Sequence, residues 1–349
     1  MLETSHLFQE IYEQPDALAR LLTQGQESAR QIAADLWERS ITHVVIAARG
    51  TSDNAARYAK YVWGAFNRLS VALATPSLFS QYQQPPQMTG ALVVGVSQSG
   101  QSPDIVNVLV EGKRQGCPTL AITNNPESPL AQTADFVFDI RAGAENAVAA
   151  TKTYTSQLLA IALLSAALAG DESRFSELAR LPGWITHALE QNDRIAQAAL
   201  RYRYMQQCVV LGRGFNYATA FEWSLKLKEL TYVVAEPYSS ADFQHGPIAM
   251  VASGFPVMAV APSGAVFDDM LKLLQKLNLQ HTAELLVISD RAKALDLAAS
   301  PIALPQGIPE WLTPLVGIVP AQLFCYHLTR VKGFDTDAPR GLQKVTRTH

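Results

Sequence analysis

Cysteine is scarce in this 349-residue sequence: Cys117, Cys208 and Cys325 are the only three. They are too few and too scattered for a disulfide framework or a metal site, and an odd number fits poorly with secretion. A block of one charge sign is also missing. The 28 Lys+Arg against 31 Asp+Glu leave a net charge of −3 and no basic field for a nucleic-acid backbone. The start, Met1-Leu2-Glu3-Thr4-Ser5-His6, lacks the basic patch and apolar segment of a signal peptide. Long apolar runs are absent too. Leu158 to Ala169 is too short to cross a bilayer, and Trp311 to Tyr326 is interrupted by Pro314 and Pro320, so both read as core helices. These absences give the expectation of a cytoplasmic protein that meets neither nucleic acid nor membrane and whose partners are small molecules or further copies of itself. What is present is apolar bulk: at 48% apolar residues, a chain of this length can bury a large core and form two or three domains.

Apolar positions at helical spacing (Leu7, Ile11, Leu18, Leu21, Leu22, Ile32, Leu36) predict a leading helix pair over 6–38, broken near Pro15. From Thr42 the period changes. Strands are expected at 44–48, 70–73, 91–96, 118–123 and 136–140, with helices over 53–67, 102–115 and near 150–169. Strands with helices between them make a parallel sheet covered on both faces, an α/β fold.

The pattern then repeats. Val44 to Tyr61 resembles Val209 to Leu227, with Arg49-Gly50 matching Arg213-Gly214 at an offset of 164. Val93 to Gly100 matches Val257 to Gly264 at the same offset, and Leu120-Ala121-Ile122-Thr123 matches Leu286-Val287-Ile288-Ser289 at 166. Three landmarks in one order make the chain a tandem of two homologous α/β units. The expected division is N-terminal helices over 1–40, a first unit over 41–170, a helical linker over 171–200, a second unit over 201–333 and a tail over 334–349.

In the first unit the apolar run Ala91 to Val96 empties into Ser97-Gln98-Ser99-Gly100-Gln101-Ser102. At the carboxyl end of a parallel strand, loop amides and the following helix N-terminus point outward and attract an anion. The loop carries neutral donors but no lysine, which suits a phosphomonoester on a small molecule better than a nucleotide. A plain serine-rich turn remains the alternative. Gly50-Thr51-Ser52 sits after the upstream strand in the same way. The second unit has Ala261-Pro262-Ser263-Gly264 at the matching place, where proline removes a donor, so the serines of the first loop read as binding residues.

The second unit holds other chemistry. Glu222, Lys226 and Glu229 lie along one face of an expected helix over 221–233, either as a proton-transfer set or as a solvated ion-pair ladder. His245, before Gly246-Pro247, is expected in a loop. In the tail, Asp337-Ala338-Pro339-Arg340 and Lys344 can fold over a site, where a desolvated lysine can attack a ketone.

Taken in order, Gly50-Thr51-Ser52, Ser97-Gln98-Ser99-Gly100, Gly143-Ala144-Glu145 with Val148-Ala149-Ala150-Thr151-Lys152, Glu222 with Leu225 to Glu229, His245-Gly246-Pro247 and Asp337 to Arg340 with Lys344 resemble the tandem sugar isomerase (SIS) domains of glucosamine-6-phosphate synthase. The resemblance runs from about Val44 to Thr346. It implies two tandem SIS domains, each a flavodoxin-like three-layer sandwich. It further implies that Ser52, Thr51, Ser97, Gln98, Ser99 and Ser102 hold a sugar 6-phosphate, Ser102 standing where the synthase has threonine. Val148 would meet the sugar hydroxyls, with Glu222 also in the substrate site. Glu229 would carry the proton between C1 and C2 and Lys226 would steady the enediol. His245 would open the ring in the neighbouring subunit of a homodimer, and Lys344 would meet the C2 carbonyl. Ala150 replaces a serine of the synthase pattern, which removes one sugar contact. No metal or redox cofactor is implied. The synthase begins with a glutaminase domain and an N-terminal cysteine nucleophile, which this sequence does not have, so the chain looks like the type II glucosamine-6-phosphate deaminases. A deaminase, deglycase or isomerase for another 6-phosphorylated amino sugar or fructosamine is the near alternative, and a non-catalytic phosphosugar sensor the distant one.

Overall fold

The structure is a computed structural model that describes residues 5–344; Met1 to Thr4 lie outside the described residues, as do Val345 and Thr346 of the tail motif. The leading pair is α1 (His6–Tyr12) and α2 (Gln14–Trp37), with Pro15 in the first turn of α2, where its missing N–H costs nothing. There follow β1 (His43–Ala47), α3 (Gly50–Asn67), β2 (Ser70–Leu73), α4 (Pro76–Ser80), β3 (Ala91–Ser97), α5 (Pro103–Arg114), β4 (Thr119–Thr123), α6 (Pro129–Thr133), β5 (Phe136–Asp139) and α7 (Lys152–Ala169). The stretch α8 (Glu172–Leu178), α9 (Leu181–Leu189) and α10 (Asn192–Arg201) leads to the second series. That series is β6 (Gln207–Gly212), α11 (Tyr217–Lys226), β7 (Val234–Ser239), α12 (Ser240–Gln244), β8 (Pro256–Val260), α13 (Phe267–Leu279), β9 (Glu284–Ser289), α14 (Ala292–Leu295), β10 (Ser300–Ala303) and α15 (Thr313–Val331). The five strands expected in the first unit are all present. The short helices α4 and α6 were not anticipated, because one turn is too brief for a period to register.

Two compact bodies result. Among the described residues, one comprises 16–145, 152–180 and 343–344; the other comprises 5–15, Asn146–Thr151 and Leu181–Leu342. The first body holds an all-parallel sheet in the order β2-β1-β3-β4-β5. The second holds an all-parallel sheet which, read from β7, runs β7-β6-β8-β9-β10, the same order again. The repeated sequence therefore builds a repeated doubly wound fold. In such sheets the strand order reverses at one point, here between β1 and β3 and between β6 and β8, and the crevice beyond the strand ends at that point is where ligands bind.

Burial explains the composition. β3, β4, β8 and β9 are buried at nearly every position, which is why they read as continuous apolar runs. In the first body α7 is buried from Lys152 to Ala166 and lies against α3, where the Trp63 indole N–H donates to the Ile161 carbonyl at 3.1 Å. In the second body α15 passes through Pro320 as one helix, although the two prolines had suggested an interruption. With the short turn before it, the stretch Glu310–Val331 is long and apolar enough to cross a membrane, but its most apolar 18-residue window is 94% buried inside the fold, which makes it a core helix.

The second body also contains a pH-sensitive group. His327 of α15 lies 2.9 Å from the Asn192 side-chain oxygen, and burial, with the Arg330 charge adding to it, pushes its pKa down to about 4. Between about pH 6.5 and 4 the unfolded chain takes up a proton at His327 that the folded chain refuses, so stability falls as pH is lowered through that window. Urea unfolding of the wild type and His327→Gln should show a stability difference that shifts against the wild type between pH 7 and 4. A pH-independent difference would contradict this.

Candidate functional site

At the switch point of the first sheet, Ala47 of β1 pairs with Gly95 of β3, so the two strands end side by side. After β1 the chain turns through Gly50 at φ +54° directly into α3, and Ser52, buried in the first turn, accepts a hydrogen bond from the Gln157 amide of α7 at 3.0 Å. Thr51 precedes it, half-buried. After β3, the Ser97 hydroxyl accepts from the Gly100 N–H at 3.1 Å and the Ser99 hydroxyl from the Gln101 N–H at 3.3 Å. The Gln98 carbonyl accepts from the Asn124 N–H at 3.1 Å, which ties the loop to the end of β4. Gly100 has φ +63°, and a Cβ there would meet the Ser128 hydroxyl at 2.0 Å, so only glycine fits. Ser102 occupies the residue before α5 without using its hydroxyl as a cap. The loop oxygens are hydroxyls, and each hydroxyl that accepts from an amide keeps its own O–H to donate.

The second sheet offers the comparison. Arg213 pairs with Asp269 at 3.1 Å, as Arg49 pairs with Asp104 at 2.8 Å, and Gly214 repeats the positive φ of Gly50. The loop after β8 differs. The Ser263 N–H and hydroxyl donate to the Asp290 carboxylate at 2.6 and 2.5 Å, and the Ala265 N–H donates to Glu310 at 2.8 Å. Carboxylates of the chain itself fill the place where the first loop presents hydroxyls. Neither the repeated Arg–Asp pair nor this self-filling was read from the sequence, although the offset of 164 already aligned the two arginines.

The Glu222, Lys226 and Glu229 set also departs from expectation. α11 stops at Lys226, and Leu227–Thr231 forms a π-helical turn that Tyr232 closes at φ +57°. A single α-helix to residue 233 would have kept the three on one regular face; the wider turn aims Glu229 separately, as π-turns at functional places do. The lysine ammonium lies 3.4 Å from Glu222 and 2.5 Å from Glu229. Side-chain exposures are 2% for Lys226, 0% for Glu222 and 23% for Glu229, so one carboxylate is sealed in and the other reaches solvent. An exposed ladder is thereby ruled out.

Around this turn the tail is held in place. The Tyr232 hydroxyl accepts from the Arg340 N–H at 2.9 Å while the Arg340 guanidinium stacks on its ring at 3.9 Å. Asp337 accepts from the His6 and Leu7 N–H groups at 2.8 and 2.9 Å and so caps α1. In the same body His245 stands exposed at the end of α12. Val148 is half-buried, and the Asn146 and Ala147 N–H groups just before it donate to the buried Glu10 carboxylate. Glu10 was not singled out from sequence, since nothing local marks a contact across 136 residues. In the first body Lys344 meets Glu145 at 2.8 Å.

Two doubly wound sheets, one with a donor-rich loop at its switch point, define a tandem α/β protein. The SIS domain profile matches residues 39–167 and again 203–331, and the chain belongs to the SIS domain family. It is 33% identical over 343 residues to the glutamine–fructose-6-phosphate aminotransferase (isomerizing) of Pyrococcus horikoshii, covering 97% of this chain and 57% of that protein. The chain thus spans little more than half the length of this curated relative. The C-terminal domain of glucosamine-fructose-6-phosphate aminotransferase from Francisella tularensis superposes with a TM-score of 0.88 at 30% identity, covering 97% of this chain and 99% of that one. Glucosamine-6-phosphate deaminase from Thermotoga maritima, at 21% identity and a TM-score of 0.78, covering 99% of this chain and 100% of that one, shares the fold.

Removing the lysine between the two carboxylates leaves Glu222 buried without its cation, which costs about 3–5 kcal/mol. Lys226→Met should therefore be strongly destabilised in urea unfolding, and Glu222→Gln in the same chain should recover a large part of the loss. Additive losses would contradict the buried pair.

Proposed function

We propose that the chain is a phosphosugar aldose–ketose isomerase acting on an amino sugar, converting glucosamine-6-phosphate and water to fructose-6-phosphate and ammonia. The observation that carries this reading is Glu229, a solvent-reaching carboxylate with one oxygen fixed by a buried lysine. One oxygen is held by Lys226, and the other can take the proton from C2 of the open-chain sugar imine or amine and return it at C1. Lys226, held in turn by Glu222, keeps its charge beside the enediol-type intermediate that forms. Ser52, Thr51, Ser97, Gln98, Ser99 and Ser102 hold the 6-phosphate through hydroxyl and amide donors. Val148 presents its backbone to the sugar, and Lys344 meets the C2 carbonyl.

Ammonia, in this reading, exchanges with solution. All three cysteines are buried, and burial raises each thiol, Cys208 to about 12, so none of them serves as a glutamine-cleaving thiolate. One observation favours the near alternative. A groove lined by Arg20, Gln24, Asn124, Asp139, Arg141 and Ala144, the neighbour of Glu145 in sequence, places Asp139 4.0 Å from Arg141, and the Arg20 guanidinium there suits a carboxylate carried on the substrate amine, as in the 6-phosphate of a fructosyl amino acid.

Ammonia release measured over 6-phosphorylated amino sugars and fructosamines tests the reading and separates the alternatives. Glucosamine-6-phosphate should turn over, and Glu229→Gln should lower kcat by about 10²–10⁴-fold while fructose-6-phosphate binding stays within about threefold. Turnover of fructosyl amino acid phosphates alone would select the alternative, and binding without any turnover would leave a sensor.

The exposed His245 suits ring opening in a neighbouring subunit, which makes a homodimer part of the proposal. Mixing Glu229→Gln with His245→Ala subunits should restore about a quarter of wild-type activity, since mixed dimers form half the population and carry one intact site each. No recovery would place His245 outside the partner's site.

A further inference from the structure

Glu145 lies midway along the irregular segment between β5 and α7, and its carboxylate is sealed from solvent. One oxygen accepts from the Thr153 N–H at 3.1 Å; the other accepts from the Thr153 hydroxyl at 2.7 Å and from the Lys344 ammonium at 2.8 Å. Thr153 lies in the first turn of α7, a helix buried over most of its length, so the carboxylate caps a helix N-terminus and its position is set by the core. Lys344, by contrast, is 24% exposed and reaches Glu145 from an irregular segment. The fixed partner is the carboxylate, and it determines where the amine stands.

We infer that Glu145 is the acid–base partner of Lys344 in imine formation with the ketose, an inference that rests on the reading of Lys344 given above. The ammonium passes one proton to the Glu145 oxygen already bonded to it, leaving a neutral amine and a carboxylic acid. The amine nitrogen bonds to C2 of the open-chain ketose while the carbonyl oxygen takes a proton from that nitrogen, giving a neutral carbinolamine. The carboxylic acid returns its proton to the C2 hydroxyl, the C–O bond breaks, and water leaves. The product is a protonated imine whose positive charge faces the restored Glu145 carboxylate. The sum is ammonium plus ketone giving iminium plus water, and Glu145 is regenerated. Cap and proton acceptor are one group, so the capping bonds to Thr153 keep it from following the amine away from the sugar.

Reductive trapping with fructose-6-phosphate and cyanoborohydride, located by peptide mass, tests this. In the wild type the label should fall on Lys344. Glu145→Gln keeps an oxygen for the Thr153 donors but loses the proton acceptor, so trapping should slow by about 10²-fold or more at equal occupancy, with sugar-phosphate affinity within about threefold. Glu145→Asp should recover at least a tenfold part of the loss, which a purely structural cap would not require. Thr153→Val keeps the carboxylate and removes the hydroxyl that holds it, so it should trap about tenfold more slowly and serves if the glutamine variant folds poorly. Trapping at Lys344 that neither Glu145→Gln nor Thr153→Val slows would overturn the role of Glu145 and leave the reading of Lys344 intact. Label on another lysine, or none in the wild type, would overturn both.

Discussion

Backbone N–H groups at the start of a helix or at the end of a parallel strand have no partner in the regular structure and must be met by an oxygen. The chain meets this demand differently at each place. Hydroxyls of Ser97 and Ser99 meet the first loop; Asp290 and Glu310 meet its counterpart in the second sheet. Glu145 meets α7, Asp337 meets α1, and Glu10 meets the amides of Asn146 and Ala147. The kind of oxygen decides what the place can do. A carboxylate neutralises the local field and repels a phosphate, whereas a hydroxyl satisfies the amide and still offers a proton to one. Two copies of one fold therefore differ in the charge that their switch-point loops present, by which side chain reaches the loop.

The buried lysine of the second body follows the same logic with the sign reversed. A buried ammonium is expensive unless its charge is matched at close range, and Glu222 and Glu229 match it at 3.4 and 2.5 Å. The π-turn after Lys226 is what lets Glu229 do so while facing solvent. A regular helix would place the residue at i+3 with its neighbours and share their burial; the wider turn separates direction from spacing. Packing and exposure are thus coupled, since the carboxylate nearest the Lys226 ammonium is also the one that reaches solvent.

Much of this was legible in the sequence because it is periodic or repeated. The strands of the first sheet showed as apolar runs because both faces are buried, and Arg49-Gly50 against Arg213-Gly214 exposed the duplication. The serine loop was recognisable because strand, glycine and hydroxyls are consecutive. What stayed hidden depends on chain reversal. Glu10 reaches Asn146, Asp337 reaches His6, and Glu310 reaches Ala265, contacts over 45 to 331 residues that no local pattern encodes. The π-turn was hidden for another reason: its residues, Leu227 to Thr231, have the composition of an ordinary α-helix.

The self-filled loop of the second sheet bears on why the chain keeps two units. Asp290 and Glu310 occupy the donors of that sheet's switch point with negative charge, which disfavours a further anion there. Its strand ends still hold α11 and the turn that carries Glu229, and its body still anchors the tail through Tyr232, Phe334 and Arg340. The division is the one duplication makes available. One copy keeps a loop of free hydroxyl donors, the other meets the matching loop with its own acids and builds the Glu222–Lys226–Glu229 triad, and neither copy alone holds both.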